Sequence, residues 1–557
     1  MRRRDFVQLL SLLPAAAWVG RPALSQVASN SAATRRLIDI HAHVFNSTDL
    51  PARRFLKIVF LHKHPEQGTE NVLALGNNDV LDWLIELFIR ITSGRAPDAR
   101  TEIALLDGLG LADNAARDFN AASAITIERV AEFLREPPPS PSSLARQPGS
   151  AAGAAALKGA VLRAGGVRHE DFSAASTDTQ AAARNAFNSN FDVGVYLRWF
   201  TLFTMYRHAL VDHLADYHKR QGYEPILLAP ALVDYSKWLG EEVASPLMDQ
   251  VQVMGRIARR PDGPAVHGYV CYDPLREVFH RRFSEPGPAP LQIVRRAIIE
   301  HGFLGVKLYP PMGFKPTGNA RGQQYPREII EKLNQRVSAD LNRAMDDLFA
   351  LCTNLSASII AHTAESNAAG PDYARRADPA HWLPALRKYP SLRLAFAHFG
   401  RFSYVSVGAP RNSKMPESSW EWTFGRTIAE DRNKPLFADL SYFSEVLEEG
   451  NAAKRRQLSQ TMRRFVRTFD PDVRHLLFGT DWLMLGVESR HDRYPEALAK
   501  FLRDDCGFNA DAMAQVFYGN AVRFLGLGRG EPVRERLASF YKDNNLNDSR
   551  LAAFDQS

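Results

Sequence analysis

The sequence predicts an α/β protein: a (β/α)₈ barrel of the TIM type carrying a large, mostly helical insertion after its first strand. Three observations lead there. Eight short apolar runs read as strands; seven of them end, from Asp234 to Leu483, at intervals of 35 to 55 residues; and several of the gaps hold helix-patterned segments. Runs that are apolar on both faces and alternate with helices argue for a parallel sheet covered by helices. Eight such units favour closure into a barrel over the alternative, an open doubly wound sheet.

The first residues, MRRRDFVQLLSLLPAAAWVGRPALSQ, stand apart from that pattern. Arg2, Arg3 and Arg4 form a charged start, Phe6 to Val19 an apolar middle, and Ala23-Leu24-Ser25 a small-x-small cleavage site. Residues 1–25 are therefore expected to be a signal peptide of the twin-arginine type, which predicts a periplasmic protein with no stable membrane span once the leader is cut. The leader holds four arginines and one aspartate, so its loss takes the net charge from +7 to +4. That surplus is too small to argue for a nucleic-acid partner.

The first strand is IDIHAHVFN, Ile38 to Asn46. Alternation puts Asp39, His41 and His43 on one face and Ile38, Ile40, Ala42 and Val44 on the other. Residues 46–223 form the expected insertion, with helices over NDVLDWLIELFIRI and VGVYLRWFTLFTMYRHALVDHLADYHKR and a Pro/Ser/Ala/Gly-rich linker near 136–166. Arg198 and Arg207 interrupt the second helix and argue against a membrane span. The barrel occupies 35–45 and 224–527, its later strands being EPILLAPALVD, AVHGYVCYD, FLGVKLYP, ASIIAHTAE, RLAFAHFG, LFADLSYF and HLLFGTDWL. Residues 528–557 read as a polar tail. Cys271, Cys352 and Cys506 are too few for a disulfide framework, and core packing is expected for the first two.

Chemistry collects at the ends of the strands: His41 and His43 on the first, Lys307 on the fourth, His362 on the fifth, His398 on the sixth and Asp481 on the eighth. In a barrel those ends converge on one mouth. Three or four imidazoles with a carboxylate suit Zn²⁺ or a similar divalent ion, which ionises a bound water near neutral pH. His208, His213 and His218 lie five apart, about 140° of rotation per step on a helix, and are expected on a solvated face. His62 and His64 read as loop residues. Asp234, Asp273 and Asp439 are balanced between turn chemistry and the pocket, and Asp481 itself has an alternative as the N-cap of the following turn.

The His41-x-His43 pair, His362, His398, the GTDW around Asp481 and YGNAVRFLGL from Tyr518 together resemble the amidohydrolase superfamily. Within it they are similar to the amidohydrolase-related branch of metal-dependent hydrolases and non-oxidative decarboxylases. The resemblance runs from about Arg35 to Leu527 and excludes the insertion. It implies that His41, His43, His362 and Asp481 hold one metal ion, that Asp481 also takes a proton from its water, and that His398 polarises substrate or moves a proton. It makes Asp39 a supporting partner behind the ligands. Some superfamily members carboxylate a fourth-strand lysine to bridge two metals, so a carboxylated Lys307 would imply two ions. One ion is favoured, with Lys307 or Arg401 pairing a substrate anion; Tyr309, Glu365 and Trp482 are candidates for substrate contact, with packing as the alternative for each.

The expected function is that of a metal-dependent hydrolase, with metal-bound hydroxide attacking an amide, ester or lactone of a small-molecule substrate. One alternative is a non-oxidative decarboxylase using the same site; another is an inactive barrel that binds a ligand or partner. A homo-oligomer is compatible with the sequence and is not specified by it.

Overall fold

Strand β1 (Arg35–Ala42) is apolar on alternate positions, and its last six residues are buried. It pairs in parallel with β2 (Tyr223–Pro230), and β2 with β3 (Ala265–Val266). A second sheet runs β4 (Tyr269–Cys271), β5 (Gly305–Leu308), β6 (Ser358–His362), β7 (Leu394–Ala397), β8 (Leu436–Asp439) and β9 (Leu476–Leu477), in that order and all parallel. The computed structural model describes residues 35–60, 78–110, 113–135, 193–320, 323–364, 368–370, 372–399, 417–448, 450–488 and 490–555. The expected leader, the linker near 136–166, His62, His64, Glu365 and Arg401 lie outside them.

The nine segments are the eight expected strands, because β3 and β4 are halves of one run broken at His267 and Gly268. Gly268 sits where a Cβ would lie 2.2 Å from the Pro230 carbonyl oxygen, so only glycine allows the approach. The two sheets meet at both seams. Leu232 N–H donates to Tyr269 C=O at 2.9 Å on one side. On the other, Ile40 N–H donates to Phe478 C=O at 3.3 Å and Thr480 N–H to His41 C=O at 3.0 Å. The fold is the (β/α)₈ barrel.

Helices fill the gaps as expected: among them Leu247–Ala258 follows β2, Val337–Asn354 follows β5, Trp420–Glu430 follows β7 and Ala452–Phe469 follows β8. Barrel residues such as Ile38, Leu227, Ile360, Ala395 and Leu477 share one core with Val533, Leu537, Phe540 and Tyr541. Those last four belong to the helix Pro532–Asp543. The expected polar tail is thus corrected: its apolar positions, spaced three to four apart, bury a helical face.

The described residues divide into two compact units, one drawn from 35–60, 96–110 and 206–555, the other from 78–95, 113–135 and 193–205. This changes the expected insertion boundary. The segment from Val193 to Arg220 is two helices, Val193–Leu202 and Arg207–Arg220, and the second belongs with the barrel. Its start is fixed by Glu102, whose carboxylate accepts the Arg207 and His208 backbone N–H groups at 3.0 and 2.8 Å. A carboxylate there satisfies free helix-end donors and complements the helix dipole.

Arg207 is itself fully buried, with Asp49 at 2.5 Å and Glu102 at 2.9 Å. In the other unit, Phe88 packs against Phe200 and Phe203 with ring centroids 5.0 and 5.2 Å apart, and the Thr201 hydroxyl donates to Thr126 at 3.0 Å. The three cysteines are free and buried. Among the described residues, no helix is long and apolar enough to cross a membrane.

Candidate metal centre

The ends of β1, β5, β6, β7, β8 and β9 bring their polar residues to one place. Lys307 Nζ donates to His41 Nε2 at 2.6 Å. Asp481 Oδ1 lies 3.2 Å from His43 Nε2 and 3.9 Å from His41 Nε2. His362 Nδ1 and His398 Nε2 are 3.1 Å apart, and the His41 and His398 rings are 5.0 Å apart. All six expected groups meet, from positions more than four hundred apart in the chain.

Close backbone approach makes this possible. A Cβ on Gly479 would lie 2.8 Å from His41 Cβ, so the glycine of GTDW lets the last strand reach the first. Asp481 occupies the N-cap position of Trp482–Leu485 but its side chain does not cap; it turns to the histidines. Asp481 and His398 both hold left-handed backbone, φ 54 and 66. For non-glycine residues that costs roughly 1–3 kcal/mol each and persists only where surroundings fix it. Here Asp481 N–H donates to His41 C=O at 2.6 Å and His398 N–H to Asp439 at 3.0 Å.

Hydrogen bonds select the tautomers. His41 Nδ1–H donates to Asp439 Oδ2 at 3.0 Å, leaving the Nε2 lone pair toward Lys307 and Asp481. His43 Nδ1–H donates to the Ala231 carbonyl at 2.8 Å, leaving its Nε2 lone pair toward Asp481. Such outer partners orient imidazoles for metal binding. His398 Nδ1 faces the Ser441 carbonyl at 3.2 Å and its hydroxyl at 3.0 Å.

Burial pushes His43 and His362 below the ordinary imidazole range and His398 down to about 3, so all three are neutral at pH 7. Burial also brings Lys307 down to about 8. Burial alone would raise Asp481 and Asp439. The surrounding imidazoles, His43 nearest Asp481 and His41 nearest Asp439, outweigh it and hold both carboxylates well below their usual range.

The arrangement fits a divalent cation. Neutral His43 has spent its only N–H on Ala231, so its Nε2 and Asp481 Oδ1 are two acceptors facing each other. Among the described residues, Asp481 Oδ1 is buried without a hydrogen-bond partner of regular geometry. His41, His43 and Asp481 place one ligand atom each within 4.8 Å of the others, and so, separately, do His41, His398 and Asp439. The geometry groups His362 with His398, not with the first set.

Some placements differ from expectation. Asp39 touches no imidazole of that set: it accepts the His41 backbone N–H at 3.2 Å, the Thr480 N–H at 3.0 Å and hydroxyl at 2.6 Å, and His218 Nε2 at 3.1 Å. It joins the two strand ends. His218 and His208 are buried, the latter paired with Glu102 at 2.8 Å, which corrects the expected solvated face. Asp273 caps the helix Pro274–Phe283, and Asp234 pairs with Arg276 at 2.6 Å. The Tyr309 ring lies tilted against that of His362, with centroids 4.3 Å apart. Ser441 is not among the residues expected from the sequence; its position two residues after Asp439 in the run LFADLSYF is the signal that finds it.

Comparison with known proteins agrees with this reading. The Amidohydrolase family model matches residues 281–527. Residues 281–527 belong to the amidohydrolase superfamily. No curated protein gives a significant match. Among solved structures, this amidohydrolase is similar to an uncharacterized TIM-barrel protein from Bordetella bronchiseptica, at 17% identity and TM-score 0.34 over 57% of this chain and 82% of that one. It is also similar to an amidohydrolase from Burkholderia multivorans, solved with bound HEPES at 11% identity and TM-score 0.35, and with bound Zn at 12% and 0.32. Each of these covers 56% of this chain and 87% of the other. Superfamily membership and the donor set together give an amidohydrolase-type function that depends on a divalent metal.

Proposed function

We propose that this amidohydrolase hydrolyses an amide, ester or lactone bond, using a zinc ion held by His41, His43 and Asp481 with His362 beside them. The observation that carries the reading is the His43 Nε2 and Asp481 Oδ1 pair, two acceptors 3.2 Å apart that only a cation or a proton reconciles. When bound, the ion would supply an acidified water and polarise the carbonyl under attack.

The protein's own groups supply the rest. Asp481, ionised at any physiological pH, accepts a proton from the attacking water. His398 is neutral and anchored through Nδ1 on Ser441, so Nε2 is the atom it has for moving a proton. Lys307, with a pKa near 8, gives a cationic donor to a substrate oxygen. The expected leader belongs to the same proposal: twin-arginine export of a folded protein would deliver the metal-loaded enzyme to the periplasm.

The test is a panel of esters, lactones, amides and aromatic acids turned over by zinc-loaded protein in ¹⁸O water. Incorporation of ¹⁸O into a product acid supports hydrolysis. Release of carbon dioxide without ¹⁸O in the organic product would replace it with decarboxylation.

A further inference from the structure

The loops that follow β5 and β6 form a second polar cleft, of about 430 Å³, lined by Lys315, Asp372, Arg375, Arg376 and His381 with two glutamines. It lies on the same end of the barrel as the strand-end residues, since both loops leave the carboxyl ends of their strands. It shares no side chain with the metal centre.

Arg376 is the built part of this cleft. It is 5% exposed, and its guanidinium donates to the Gly313 and Gln324 carbonyls. Its Cζ lies 3.5 Å from the Tyr373 ring centroid and 5.4 Å from that of Tyr325. These partners fix the plane of the guanidinium but bring no formal negative charge. Among the described residues, none of Arg376, Lys315 or Arg375 forms an ion pair with a carboxylate. Burying a guanidinium without a counter-charge is costly, and burial holds Arg376 below its ordinary pKa.

Arg54, Arg536 and Arg550 also donate to carbonyls, but Arg376 does so between two aromatic rings and beside an open cleft. Three permanent cations face one carboxylate, Asp372, around a space large enough for a small molecule. A guanidinium fixed in place with two further cations nearby suits recognition of oxygen anions.

We propose that this cleft binds a small molecule bearing a multivalent oxyanion, a phosphate or a polycarboxylate, with Arg376 as the fixed anchor and Lys315 and Arg375 as the movable clamps. The site is independent of the metal centre, so it is tested without metal and without turnover.

Full-length, metal-free protein is titrated calorimetrically with inorganic phosphate and, separately, with citrate at low ionic strength. Saturable binding of either anion is expected, weakened at least tenfold in the Lys315→Gln/Arg375→Gln double variant with its unfolding midpoint unchanged. Both substitutions are at less buried positions than Arg376, which makes a folded variant the expected outcome. Binding of phosphate alone identifies a phosphorylated ligand, and binding of citrate alone a carboxylated one. Failure of both anions to bind, or equal binding by wild type and double variant, overturns the proposal and leaves the metal-centre reading untouched.

Discussion

His43 Nε2 faces Asp481 Oδ1 at 3.2 Å while the other ring nitrogen of His43 is committed to the Ala231 carbonyl at 2.8 Å. Asp481→Asn replaces the charged acceptor with a neutral amide that can donate to His43, removing both the charge and the mismatch. Metal affinity is expected to fall by more than the roughly 10- to 100-fold that loss of an outer partner costs. Chelator competition measures it; unchanged affinity would remove Asp481 from the ligand set.

Asp439 acts one step behind the ligands by fixing the His41 tautomer. Asp439→Asn should therefore weaken metal binding by about 10- to 100-fold. Ser441→Ala, which leaves the Asp439 to His41 bond in place, should cost less. Equal losses in the two variants, in the same competition assay, would mean that the whole hydrogen-bonded loop matters and not the tautomer.

How far this was readable beforehand depended on distance along the chain. The strand ends carrying His41, His362, His398 and Asp481 were legible because apolar runs at βα spacing specify a barrel, and a barrel brings its strand ends together. The split of the long helix at Arg207 was not, because it depends on a carboxylate from Glu102, about a hundred residues away. His218 misled for a related reason: helix periodicity says which residues share a face, not that one of them reaches a buried aspartate on another element. The cleft around Arg376 gave no signal, since its cations come from two loops with no shared motif.

The buried group Arg207, Asp49 and Glu102 holds the start of Arg207–Arg220 within the barrel unit. Arg207→Met keeps volume but leaves two buried carboxylates without their cation. A loss of about 3–5 kcal/mol is expected, as for breaking other buried pairs from one side. Denaturant unfolding reads it; a loss below about 1 kcal/mol would show that the carboxylates are relieved by proton uptake.

His267 sets an acid limit on stability. Its Nδ1–H donates to Gly302 C=O at 2.8 Å, its Nε2 accepts from Tyr541 at 2.8 Å, and burial holds its pKa at about 4. The unfolded chain takes a proton near pH 6.5 and the folded one does not, so there is no penalty above pH 6.5. Stability falls as pH drops from 6.5 to 4, by about 3 kcal/mol in all from this group. His267→Gln should show a shallower stability slope over that window, and equal slopes would assign the acid sensitivity elsewhere.

The central claim is that one cation sits among His41, His43 and Asp481. Anomalous diffraction from crystals grown with zinc, recorded on both sides of its absorption edge, tests this directly. The account predicts a single strong peak contacting His41 Nε2, His43 Nε2 and a carboxylate oxygen of Asp481. A peak elsewhere with those three side chains still in direct contact, or no peak at saturating zinc, would contradict it.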